Sequence, residues 1–96
     1  KPAHEFIFVG FLPNRPIARK NRLKEFAKAK LTIIFYESCH RILAALDDIH
    51  AVFGNKEIVV ARELTKKFEE VKHGSASHLA QYYSKSAPRG EFVVVV

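Results

Sequence analysis

The chain is poor in cysteine, methionine, tryptophan, glycine and proline. Its 96 residues include one cysteine, no methionine or tryptophan, and four each of glycine and proline. The single cysteine, Cys39, excludes an internal disulfide and a multi-cysteine zinc site and suits a reducing compartment, so we expect a cytoplasmic protein. No apolar run approaches the roughly 20 residues that cross a bilayer. Because the first residues also lack the layout of a signal peptide, we expect neither a membrane span nor export.

Several catalytic motifs are missing as well. The sequence has no G-x-G-x-x-G or Walker-type phosphate loop and no H-E-x-x-H pattern, and its histidines show no helical i, i+4 pair. We therefore expect no metal site. Cys39 and His40 are adjacent at the predicted start of a helix, where neighbouring side chains project about 100° apart. This arrangement disfavours a Cys–His nucleophilic pair.

Apolar and basic residues are abundant. Hydrophobic residues make up 48% of the chain and include eight phenylalanines, which is ample for one globular domain over residues 1–96. The net charge is +6, and the segment 14–30 holds seven basic residues against one acidic residue. Such a segment predicts a surface for a polyanion such as RNA, with an anionic membrane surface or a solvated helix face as the alternatives. The RNA-binding candidates in it are Arg15, Arg19, Lys20, Arg22 and Lys24.

The hydrophobic pattern predicts an α/β domain with the order β-α-β-α-β-β-α-β. The link between the third and fourth strands is too short for a parallel crossover, so we expect a mixed five-stranded sheet flanked by helices in two or three layers. The second strand is almost continuously apolar and is expected to be central and covered on both faces. Strands are predicted at 5–11, 30–36, 57–63, 67–73 and 91–96, and helices from residue 16, at 39–53 and at 76–84.

Local signals refine the helices. Pro16 suits the first turn of the first helix, whose apolar face is predicted to include Ile17, Leu23 and Phe26. Ser38 and Ser75 are predicted to cap the second and third helices.

Polar side chains follow the second and third strands at their carboxyl ends, where open α/β sheets usually bind ligands. Glu37 and Glu63 can accept hydrogen bonds from ribose hydroxyls or an amino group, or attract a cation. Arg41 and Arg62 can hold a phosphate, or can pair with these carboxylates. A ligand site and an ion-pair network both remain open on these residues alone.

Four segments, quoted in order, carry a family resemblance: "FVGFLP" (8–13), "IFYESCHR" (34–41), "ARELTKKFEEVKHG" (61–74) and "RGEFVVVV" (89–96). They resemble the successive motifs in the C-terminal half of the bacterial small-subunit ribosomal RNA ribose 2'-O-methyltransferase family. That family lies in the tetrapyrrole-methylase-like superfamily, the class III methyltransferases. The resemblance covers essentially the whole chain.

The resemblance implies methyl transfer from S-adenosylmethionine to the ribose 2'-oxygen of a cytidine in small-subunit ribosomal RNA. It implies that the cofactor lies between an N-terminal domain, absent here, and this C-terminal domain, and that the enzyme is a homodimer. Arg41 is counted with the RNA-binding residues, and Glu37 is a candidate base for the 2'-hydroxyl proton. The expected cofactor-binding residues are Tyr36, Glu37, Arg62, Glu63, Leu64 and Thr65.

Two alternatives stand beside this interpretation. The chain can be a stand-alone basic RNA-binding module, or a module that serves chiefly for dimerisation through its apolar strands. Because the sequence stops inside an apolar strand at Val96, we expect it to be a piece of a longer protein, and we expect the isolated piece to be inactive.

Overall fold

A computed structural model describes residues 6–64 and 68–96 and confirms the predicted α/β class and element order. Pro16 begins the first helix, as predicted, and the link between the third and fourth strands is an antiparallel one. The elements are β1 (Phe6–Phe11), α1 (Pro16–Ala29), β2 (Thr32–Ser38), α2 (Ile42–Phe53), β3 (Glu57–Glu63), β4 (Phe68–Ser75), α3 (Ala76–Ser84) and β5 (Glu91–Val95).

The five strands form one mixed sheet in the order β1-β2-β5-β3-β4. β1 pairs with β2 in parallel, and β5 lies antiparallel to both β2 and β3. The central strand is therefore β5, and the expectation that the second strand is central is wrong. Since β2 and β3 are each antiparallel to β5, they run in the same direction and end at the same edge of the sheet. At that edge Ser38, Glu91 and Glu63 lie side by side.

The helices cover one face of the sheet, so the domain has two layers. Residues of α1, α2 and α3 form a single buried cluster with alternate residues of the strands, such as Phe35 of β2, Val60 of β3 and Phe92 of β5. This alternation follows from the period of two along a strand. None of the helices in the described ranges is long and apolar enough to cross a membrane.

The other face, which we call the open sheet face, carries none of the helices in the described ranges, and its centre is apolar. Phe8, Tyr36 and Val71 on this face are 57%, 42% and 55% exposed. In the register of the sheet, Tyr36 pairs with Val93, Val93 with Ala61 and Ala61 with Val71, so the apolar row is continuous from β2 to β4. The expectation that β2 is covered on both faces is therefore wrong for this chain.

α1 packs on α2 through two apolar residues and one buried ion pair. Leu23 and Phe26 are buried as predicted, but Ile17 is 76% exposed, so its placement on the apolar face is wrong. Arg19 takes the inward position instead: it is 3% exposed, and its Nε lies 2.5 Å from Oδ2 of Asp48 on α2. The stretch that looks uniformly basic in sequence thus contains one cation that belongs to the core.

The helix starts at α2 and α3 differ in their capping. Ser75 caps α3, since its Oγ accepts a hydrogen bond of 3.2 Å from the His78 backbone N–H, as predicted. Ser38 does not cap α2, and that prediction is wrong: Ser38 is the last residue of β2, and the helix begins three residues after the predicted Cys39, at Ile42. A turn closed by the hydrogen bond from Arg41 N–H to the Ser38 carbonyl fills the interval.

Candidate functional site

A cleft of about 410 Å³ opens on the open sheet face at the edge where β2 and β3 end and β5 begins. Aromatic side chains form one part of its lining and two carboxylates form another. Both kinds of group are brought together by the antiparallel pairing of β5 with its two neighbours. The lining residues are Phe11, Tyr36, Glu63, Glu91, Phe92 and Val93.

The aromatic part of the cleft is a cluster around Tyr36. The Tyr36 ring lies 5.2 Å from the ring of Phe8 in an edge-to-face arrangement and 5.7 Å from the ring of Phe11. Gly10, with φ of +68°, lies in the β1 irregularity that brings Phe11 opposite Tyr36. Such aromatic surfaces suit a flat organic ligand, because ring faces and edges both offer favourable contacts.

The polar part of the cleft is a pair of like charges. Glu63 ends β3 and lies directly opposite Glu91, the first residue of β5. Gly90 (φ +86°) makes this junction possible, because a Cβ there would overlap the Glu63 carbonyl oxygen. The glycine therefore fixes how closely the start of β5 approaches the end of β3.

The structure divides the predicted cofactor-binding residues between the two faces of the sheet. Tyr36 and Glu63 line the cleft. Leu64 follows Glu63, is partly exposed, and approaches Gly90 through its side chain. Glu37 and Arg62 lie on the helix-covered face, because consecutive strand residues point to opposite sides. Thr65 lies outside the described residues.

Glu37 is buried and held by its neighbours. Its side chain is 2% exposed, and its Oε1 accepts hydrogen bonds from the Ser38 backbone N–H at 2.9 Å and from the Arg41 Nε at 3.2 Å. These bonds fix the turn between β2 and α2. The geometry favours a positioning role for Glu37, and its assignment as a base stays a prediction.

Arg62 belongs to a polar cluster beside α3. Its Nε forms an ion pair with Oε1 of Glu70 at 3.5 Å, and the other carboxylate oxygen of Glu70, Oε2, accepts a hydrogen bond from the Tyr82 hydroxyl. That hydrogen bond raises the pKa of Tyr82, and burial raises the pKa of Tyr83 to about 12. Both phenols therefore stay neutral. Arg62 is paired with Glu70 on the helix-covered side of the sheet, away from the cleft.

Phe11 and Glu91 are cleft residues that the sequence analysis missed. Glu91 was assigned to the last strand, but nothing in the sequence shows that this strand inserts between β2 and β3. The segment "RGEF" is the available sequence sign of Glu91 as a site residue, because a glycine there precedes a charged residue at the start of the strand. The sequence predicts Phe11 only as part of an apolar strand, and the parallel pairing of β1 with β2 brings it to Tyr36.

The predicted RNA-binding residues are not all at the surface. Arg15, directly before α1, and Lys20, Arg22 and Lys24 on α1 are exposed, and the Lys20 Nζ lies 3.8 Å from Oδ1 of Asp48. Arg19 is buried against Asp48, so its placement on this surface is corrected. Arg41 lies at the start of α2 and pairs with Glu37. Further lysines that were not singled out extend the basic surface at the far ends of α1 and α2: Lys28, Lys30 and Lys56.

A metal centre has no support in the described ranges, 6–64 and 68–96. No group of three or more His, Cys, Asp or Glu side chains there is placed to hold a metal ion.

No protein-family model matches the chain. Curated proteins named ribosomal RNA small subunit methyltransferase I do match it over 99% of its length. The identity is 45% for the protein from Xylella fastidiosa strain Temecula1, 38% for that from Halalkalibacterium halodurans and 40% for that from Thermotoga maritima. The chain is thus similar over nearly its whole length to one part, the C-terminal domain, of proteins that carry this name.

The match covers only part of each methyltransferase I relative. The chain spans 36%, 33% and 42% of the Xylella, Halalkalibacterium and Thermotoga proteins, which is less than half of the length of each. The family resemblance seen in the sequence motifs is thus confirmed.

Proposed function

We propose that this chain is the C-terminal part of an S-adenosylmethionine-dependent methyltransferase of the cytoplasm. Its substrate is the ribose 2'-hydroxyl of a cytidine in small-subunit ribosomal RNA. The observation that carries the proposal is the cleft at the joint ends of β2 and β3, found in a chain homologous to proteins named for ribosomal RNA methylation. The curated name supports a methyl donor and an RNA substrate, and the cleft supplies residues for the donor.

The cleft residues fit S-adenosylmethionine, which supplies a methyl group on a positively charged sulfur. Tyr36 and Phe11 offer aromatic surface for a flat adenine ring. Glu63 and Glu91 offer carboxylates to ribose hydroxyls or to the positive charge. This donor set suits a molecule that is aromatic at one end and cationic at the other.

The chain holds only one wall of this site. The cleft is open to solvent on the open sheet face, and the relatives contain about twice as much additional chain. Aligning a ribose oxygen with the methyl–sulfur bond can contribute about 7 to 11 kcal/mol, which requires two substrates held rigidly from both sides. We propose that the chain alone is inactive and that the longer protein is the enzyme.

Transfer of a radiolabelled methyl group tests this function directly. The longer protein that contains this chain is incubated with labelled S-adenosylmethionine and small-subunit ribosomal RNA, and the modified nucleotide is identified after digestion. We expect label on the 2'-oxygen of a cytidine. Label on a base, or no label on RNA in either the free or the ribosome-assembled form, would show that the proposed function is wrong.

The Glu37→Gln variant tests the base assignment. If Glu37 removes the 2'-hydroxyl proton, we expect methyl transfer by the longer protein to fall by about 10²- to 10⁴-fold with unchanged cofactor affinity. If Glu37 only positions the turn, glutamine keeps an acceptor oxygen for Ser38 and activity stays within a few-fold. The unfolding midpoint of the variant, measured alongside, separates loss of activity from loss of fold.

The basic surface of α1 supplies the RNA contacts in this proposal. We expect the double variant Lys20→Gln/Lys24→Gln to weaken RNA binding at low salt and to flatten its salt dependence, since each phosphate contact contributes about 0.7 to 0.9 to the slope of log K against log salt. Cofactor binding should not change. Lys85→Gln is the matched control, because Lys85 is exposed beyond α3 on a different side of the helix layer. A variant as salt-sensitive as the unmodified protein would contradict the assignment.

Dimerisation is a second candidate role, favoured by the open sheet face. A continuous exposed apolar row such as that from Tyr36 to Val71 often marks a contact with another protein surface. We propose that the longer protein is a homodimer, and sedimentation equilibrium tests it: a monomer at all concentrations examined would contradict this role.

A further inference from the structure

The two carboxylates of the cleft occupy positions in which like charges destabilise a β-sheet. Glu63 and Glu91 lie directly opposite each other on adjacent antiparallel strands. Like charges in this position destabilise a sheet, whereas opposite charges stabilise it. Within residues 6–64 and 68–96, no Lys, Arg or His forms an ion pair with either carboxylate. In the described part of the chain, the register thus places two like charges side by side at the cleft, and no described cation is paired with them.

The neighbouring aromatic groups show what would relieve the repulsion. Tyr36 and Phe11 line the same cleft as the two carboxylates. An organic cation gains from both kinds of group, because it is attracted to carboxylates and to the faces of aromatic rings. A neutral ligand of the same shape would gain only the aromatic contacts. The combination is therefore selective for positive charge and not only for ring shape.

We propose that the Glu63–Glu91 pair is a charge sensor that makes the cleft prefer the cationic methyl donor over its neutral product. The inference rests on the proposed function, and it identifies Glu63 and Glu91 as the residues that set the preference between donor and product. Methyl transfer forms the new O–C bond on the ribose and breaks the C–S bond, whose electron pair stays on sulfur, while the hydroxyl proton passes to a general base and from there to solvent. The sulfur of the product, S-adenosylhomocysteine, is consequently neutral and no longer attracted to the pair.

Product release then follows from the chemistry itself. The repulsion between Glu63 and Glu91 is relieved while the sulfonium is present and returns when the positive charge is lost. The returning repulsion favours departure of the product and its exchange for a new donor. No movement of a lid is required for this selectivity.

Binding of the two compounds to the longer protein tests the inference. Calorimetric titration gives the dissociation constants of S-adenosylmethionine and S-adenosylhomocysteine for the unmodified protein and for Glu91→Gln. Removing one charge-assisted contact should weaken donor binding about tenfold, while product binding stays within about twofold of its original value. Glu91→Asp keeps the charge and should retain most of the preference. Glu57→Gln is the matched control, because Glu57 is exposed at the opposite end of β3.

A second readout needs no ligand. If the pair is repulsive, Glu91→Gln should raise the unfolding midpoint of the unliganded protein, whereas Glu57→Gln should leave it nearly unchanged. Equal weakening of both compounds by Glu91→Gln, or no weakening of either, would overturn the charge sensor while leaving the proposed function intact. Failure of the unmodified protein to bind either compound would overturn the proposed function and this inference together.

Discussion

Replacing Asp48 by alanine is expected to destabilise the domain by about 3 to 5 kcal/mol, because it leaves the Arg19 guanidinium buried without a counter-charge. Arg19 is almost fully buried, and its contacts are Asp48 and the Asn14 carbonyl at 3.2 Å. With Asp48 gone, one carbonyl remains for a charged group with five N–H donors. The loss amounts to a large share of the 5 to 15 kcal/mol that stabilise a typical domain. Chemical denaturation followed by circular dichroism measures it.

Two further variants identify the cause of the loss. The double variant Arg19→Met/Asp48→Leu removes both charges and should recover most of the stability, since well-packed apolar residues often replace a buried ion pair without loss. Glu25→Ala breaks the exposed pair with Arg22, whose atoms are 3.2 Å apart, and should cost less than about 1 kcal/mol. If Asp48→Ala and Glu25→Ala cost the same, the buried pair does not hold α1 on α2.

Gly90→Ala is expected to have the largest effect on the cleft. The added Cβ would overlap the Glu63 carbonyl oxygen and approach the Leu64 side chain, and φ of +86° strains any residue other than glycine. Backbone strain of this kind costs about 1 to 3 kcal/mol, and relief of the overlap moves β5 away from β3. Since Glu63 and Glu91 lie at this junction, we expect S-adenosylmethionine binding by the longer protein to be lost along with stability.

Gly54→Ala is the control for backbone strain alone. Gly54 also has a positive φ, +67°, but a Cβ there meets no atom within 4 Å. It lies at the end of α2, away from the cleft, so the variant should lose stability without loss of cofactor binding. Equal effects of the two variants on binding would show that the Gly90 junction does not shape the site.

The type and order of the elements were predictable because the strands are apolar and the helices repeat apolar residues with helical spacing. Pro16, Gly54 and Ser75 also mark helix starts or ends. The insertion of β5 between β2 and β3 was not predictable, since pairing depends on contacts between distant segments. This insertion makes β5, and not β2, the central strand. It also brings Glu91 to the cleft, opposite Glu63, which the sequence alone does not reveal. The open face of β2 has a different cause, because α1, α2 and α3 all pack on the other side of the sheet.

The candidate site was predictable only in part, because position along a strand does not show which face a side chain occupies. The edge where β2 and β3 end was predicted, and Tyr36 and Glu63 do line a cleft there. Their neighbours Glu37 and Arg62 point to the other face, into ion pairs with Arg41 and Glu70. Arg19 shows the same limit on a helix: its charge predicts exposure, but its phase on α1 buries it.

In this proposal the cleft around Tyr36 is one wall of a cofactor site that the rest of the protein completes. Calorimetric titration of S-adenosylmethionine into this chain, into the longer protein and into its Tyr36→Ala variant tests it. We expect binding by the longer protein, and little or none by the chain alone or by the variant. Binding by Tyr36→Ala equal to that of the unmodified longer protein would contradict it, because the cofactor would then lie elsewhere.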